Sequence, residues 1–112
     1  MKPWIFILVA VLCNAGAQVF LKIGAPADGR PWHESINIAV ISGLLLYIVS
    51  FILTIRIYAH FPLSVVSPLM AGAIFVAVSI SASLLLAEPI GLAKVAGMIL
   101  ILFGIILLTQ AS

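Results

Sequence analysis

Eight charged residues, Lys2, Lys22, Asp28, Arg30, Glu34, Arg56, Glu88 and Lys94, are all that this chain of 112 residues carries, and between them they leave four long uncharged runs. The membrane spans they suggest lie at about 4–21, 36–55, 63–87 and 92–110, the last with Lys94 near its start. About 20 residues of helix, rising ~1.5 Å each, cross a hydrocarbon core of ~30 Å, so every run is long enough to span a bilayer. None shows the two-residue alternation of a barrel strand. In lipid the backbone has no water to bond to and must satisfy itself, which makes such runs helices. Composition agrees: 65% of residues are hydrophobic and 7% charged, against roughly half and a quarter in soluble domains. The expected fold is an all-α membrane protein, a single four-helix transmembrane domain over 1–112 with short loops. The net charge of +2 and the lack of a basic cluster give no electrostatic footprint for nucleic acid.

The connections carry little. The first loop, from Ile23 to Ser35, holds Pro26, Asp28-Gly29 and Pro31, with Trp32 placed as an interfacial anchor and Trp4 as its counterpart at the other face. The second, around Tyr58 to Pro62, and the third, Glu88-Pro89-Ile90-Gly91, are tight turns, so neighbouring helices run antiparallel. No extramembrane domain is left to hold a catalytic centre, and no nucleophile–base pair is visible, which argues against an enzyme. Cys13 is alone, so it forms no internal disulfide and reads as a small buried hydrophobe. Lys2 followed by apolar residues up to Ala15-Gly16-Ala17 has the outline of a signal peptide, but the run continues through Gln18 to Leu21 and reads as a retained helix. Lys2 and Arg56 fall on one side of the membrane and Lys22, Arg30 and Lys94 on the other, a bias of one charge that permits either orientation or a partner of opposite bias.

Polar residues inside the spans define the candidate site. Asn14, Gln18 and Lys22 stand four apart and share a helix face. Such groups are costly in lipid unless they meet partners or water. Two readings stand: a substrate path ending in a cation, or glue between helices with Lys22 snorkelling to a headgroup. Tyr47, near the middle of the second span, needs a partner for its hydroxyl and suits either a cavity wall or a core. Arg56 offers a paired grip for a phosphate, or else snorkels. Glu88 attracts an amine at the interface, or is a solvated turn residue. No acid lies in the middle of any span. His33 and His60 fall in loops with no third ligand beside them, so no metal is expected, and no cofactor. Pro68 followed by Gly72 suggests a bend or hinge in the third helix. Gly97 and Gly104, seven apart, put small residues on one face of the fourth helix, for contact with a second subunit or for packing within the chain. Four helices make too thin a bundle to enclose a polar path, so transport needs two copies, or a related four-helix partner, with the site between them.

Together these segments resemble the small multidrug resistance superfamily and its drug/metabolite transporter (EamA-like) relatives, over nearly the whole chain. The resemblance rests on the stretch from Asn14 through Gln18 and Lys22 to Gly24, on Phe61-Pro62 through Pro68 to Gly72, and on Glu88-Pro89 followed by Gly97 and Gly104. It implies a multi-pass transporter of the bacterial inner membrane that works as a dimer. Drug-exporting members carry an essential glutamate in helix one, at the position that is Asn14 here, which sets this chain apart from cation/proton exchange. The subgroup it resembles better comprises the paired subunits that flip undecaprenyl-phosphate-linked aminoarabinose. That likeness implies a lipid-linked sugar translocase, with Lys22 and Arg56 suited to a phosphate and Glu88 to an amine. An exporter of small organic cations and a non-transporting accessory subunit are the other expectations.

Overall fold

The computed structural model describes residues 3–25 and 31–111. Lys2, Pro26, Asp28-Gly29 and Arg30, used above as loop and topology markers, lie outside the described residues, as does the side chain of Trp32. Four helices follow in order: α1 (Pro3–Gly24), α2 (Ile38–His60), α3 (Leu63–Leu85) and α4 (Leu92–Ala111), with a 3₁₀ turn over Trp32–Ser35 before α2. All four are long and apolar enough to cross a membrane.

The helix ends follow from local chemistry. α2 runs five residues beyond the expected boundary at 55, so Tyr58 and His60 are helical and the second loop shrinks to Phe61 and Pro62. Nothing in Ile57–His60 breaks a helix. Phe61, as the residue before a proline, is driven extended (φ −131°, ψ 149°). α2 also starts two residues later than expected, because Asn37 caps it. The Asn37 Oδ1 accepts from the Val40 N–H at 3.1 Å, and its Nδ2 donates to the Gly24 carbonyl at 2.8 Å. One amide thus satisfies an orphan carbonyl of α1 and an orphan N–H of α2.

Small residues at seven-residue spacing set the main helix contact. Ala10, Ala17 and Gly24 line one face of α1; Gly43 and Ser50 line the facing side of α2. Ala10 and Ala17 are fully buried. The Ser50 hydroxyl donates to the Ala10 carbonyl at 3.1 Å. A Cβ on Gly43 would stand 3.0 Å from the Ala17 carbonyl oxygen, and one on Gly24 would stand 2.6 Å from the Asn37 Oδ1. Two helices in lipid gain little from hydrophobicity alone, and this small-residue seam lets their backbones approach closely enough for van der Waals contact to hold them.

α3 packs against the Pro3 end of this hairpin. Ile7, Ala10, Val11, Ile57, Val66 and Met70 form the core, with Phe61 and Leu69 against it. The rings of Trp4 and Phe61 meet tilted by 60°, centroids 5.1 Å apart, fastening the start of α1 to the α2–α3 turn. α4 touches only α3 closely: Gly72 lies under Ile101 and Ile105, where a side chain would collide. α3 runs unbroken through Pro68. None of the spanning window of α4 is buried within the chain.

Candidate functional site

The Asn14–Gln18–Lys22 face of α1 links two clefts. The Gln18 Nε2 donates to the Asn14 Oδ1 at 2.9 Å. Neither side chain bonds to another helix among the described residues, so the pair does not tie α1 to its neighbours within the chain. Asn14 faces one cleft and Gln18 and Lys22 another.

The first cleft, of about 410 Å³, is lined by Asn14, Tyr47, Ile48, Ser50, Phe51 and Thr54. It lies near mid-membrane, between α1 and α2, and is open sideways past Phe51, which is 69% exposed. Its polar groups differ in what they have left to offer. The Ser50 hydroxyl is spent on Ala10, and the Thr54 hydroxyl on the Ser50 carbonyl at 2.7 Å. The Asn14 Nδ2 and the Tyr47 hydroxyl make no hydrogen bond among the described residues. The cleft therefore presents two uncommitted donors, two aromatic rings and no carboxylate. Ser50, Phe51 and Thr54 were not singled out from the sequence. The signal was there: Tyr47, Ser50 and Thr54 recur at three- and four-residue spacing, a polar stripe through an otherwise apolar helix.

The second cleft, of about 210 Å³, opens at the Gly24 end between α1 and α3 and is lined by Gln18, Val19, Lys22, Val78, Ala82, Leu86 and Glu88. It exists because α3 packs on α1 through residues near the opposite end. Arg56 lies elsewhere. The Ala10–Ser50 and Ala17–Gly43 contacts fix the antiparallel register and put Arg56 level with Trp4. At ~1.5 Å per residue that is about 27 Å along the axis from Lys22, so one head cannot touch both within a single chain. Gly97 has nothing within 4 Å of where a side chain would start, and nor does Gly104, which borders a groove beside Pro68, Gly72 and Ile101.

Four membrane-crossing helices, polar groups at mid-depth and only short connections define a small multi-pass membrane protein. The chain belongs to the small multidrug resistance family: it is 32% identical over 106 residues to the multidrug resistance protein EbrA of Bacillus licheniformis, covering 94% of this chain and 93% of that protein. No family model matches the chain. It is thus a small transporter-type protein, multi-pass in the bacterial plasma (inner) membrane.

Proposed function

We propose that the chain is half of a dimeric transporter that carries the hydrogen-bond-accepting head of an amphipathic substrate across the membrane by alternating access, a polyprenyl-phosphate-linked aminosugar being the substrate type that fits. The observation that carries this reading is the mid-membrane cleft, whose uncommitted groups are the donors Asn14 Nδ2 and Tyr47 O–H, with no carboxylate beside them. Sugar hydroxyls and phosphate oxygens accept such bonds, whereas a cation finds no counter-charge there. The sideways opening lets a lipid tail stay in the bilayer. The dimer is supported by the thin axis of the molecule, only 21 Å, about two helix diameters of ~10–12 Å, which leaves little room for an enclosed path in one chain.

The test is reconstitution with a fluorescent polyprenyl-phosphate aminosugar, with and without a related four-helix partner. Headgroup movement above empty vesicles is expected, falling about fivefold or more in Asn14→Ala and Tyr47→Phe as each loses one donor. No movement above empty vesicles in either arrangement overturns the proposal. A second reading, export of small organic cations, draws on the EbrA relative and on the faces of Tyr47 and Phe51, which can hold a cation through the ring quadrupole. It predicts proton release when an organic cation is added to detergent-solubilised protein, and the first reading predicts none.

A further inference from the structure

The geometry assigns a second binding site to the Gly24 end of the bundle, distinct from the mid-membrane cleft: a pocket for a zwitterionic head bearing a phosphate and a primary amine. Lys22 from α1 and Glu88 from the α3–α4 turn line the same 210 Å³ cleft, one on each wall. That volume is many times the ~10–15 Å³ one water needs on the same measure. Neither charged side chain makes a hydrogen bond or ion pair among the described residues. Two opposite charges that share a cleft yet do not close on each other leave space for a ligand that carries both signs. The Gln18 amide stands between them and the mid-membrane cleft.

Glu88 is held in place by backbone, not by chance of the turn. The Ala82 carbonyl accepts from both the Leu86 N–H at 3.0 Å and the Glu88 N–H at 3.2 Å. Ala87 between them takes a left-handed conformation, φ 54°, that residues with a side chain seldom adopt. The remaining wall is apolar, Val19, Val78, Ala82 and Leu86, and leads from the charged mouth into the membrane. The lining thus matches an aminophospholipid, with its phosphate on Lys22, its ammonium on Glu88 and its chain along the apolar wall. A soluble amino-phosphate shares the head chemistry.

The inference concerns binding alone, so a chain that moves no lipid can still pass its test. Short-chain phosphatidylethanolamine, phosphatidylglycerol and phosphatidylcholine are titrated onto the detergent-purified full chain, and retained lipid is counted by native mass spectrometry. The expected result is phosphatidylethanolamine held about fivefold or more over the other two, one charge-assisted contact at a half-exposed site. Glu88→Gln should erase the preference over phosphatidylglycerol, and Lys22→Gln should lower retention of both. Glu88→Asp and Lys22→Arg should restore each. Should Lys22→Gln not fold, Glu88→Gln in the turn carries the comparison by itself. Displacement of the lipid by soluble phosphoethanolamine would mark the free head as sufficient, and failure to displace would mark the lipid as the ligand; both support the site. Equal retention of the three lipids by the wild type, or a Glu88→Gln profile that matches it, overturns the inference.

Discussion

At the scale of single residues, the α1–α2 seam is where the chain is least forgiving. Ser50 is 3% exposed and its hydroxyl is spent on Ala10. Ser50→Ala leaves the Ala10 carbonyl with its helical partner and fills the same space, so it should cost only about 0.5–1.5 kcal/mol. Gly43→Val places a branched side chain where the Ala17 carbonyl and Leu21 already stand within 3.0–3.3 Å of a first carbon. Carbonyl and helix cannot both retreat, and a loss of about 2–4 kcal/mol is expected, in the range of severe overpacking. Reversible unfolding in mixed micelles separates the two; equal losses would count against a seam held by close approach. In the sequence, Asn14, Gln18 and Lys22 were legible as one face because polar groups stand out in an apolar run. The bond between Asn14 and Gln18 is local to α1 and follows from their four-residue spacing, but the division of that face between two clefts was not legible, since it depends on where α2 and α3 pack.

At the scale of elements, the first two connections are set by named residues. Asn37 bonds the end of α1 and the start of α2 at once. Asn37→Asp keeps the acceptor for Val40 and loses the donor to Gly24, whereas Asn37→Ala loses both. Thermal melts followed by circular dichroism should rank wild type above Asn37→Asp above Asn37→Ala, the full loss being about 1–2 kcal/mol; an alanine variant that melts with the wild type would remove the cap from the account. The four spans were legible because length and charge alone decide what can lie in lipid. Their ends were less so. The reach of α2 to His60 turns on the single proline at 62, and its start on an asparagine whose value comes from a carbonyl 13 residues earlier in the chain. The seven-residue repeat of Ala10, Ala17 and Gly24 was as visible as that of Gly97 and Gly104, but in an alanine-rich run small residues do not announce which of them meets a neighbour.

At the scale of the whole molecule, α4 stands apart from the rest, with Gly72 as its close contact and its outer face uncovered by the chain. Under the dimer proposal that face meets the second subunit. Gly104→Leu, which fills the groove beside Pro68 and Ile101, should convert a detergent-solubilised particle of twice the chain mass to one of single mass while leaving helicity intact; light scattering reads the change, and a mutant that stays at twice the mass would place the interface elsewhere. The hinge expected at Pro68 and Gly72 rests on the same region, where the absent side chain of Gly72 already serves to admit α4. The α1–α2 seam has a consequence of a different kind. Its partners, Ala10 with Ser50 and Ala17 with Gly43, are all synthesised before the first residue of α3. As the chain leaves the ribosome, this hairpin is the first piece with every partner it needs. The mid-membrane cleft, lined by α1 and α2 alone, can therefore close while α3, which walls the second cleft, is still to be made.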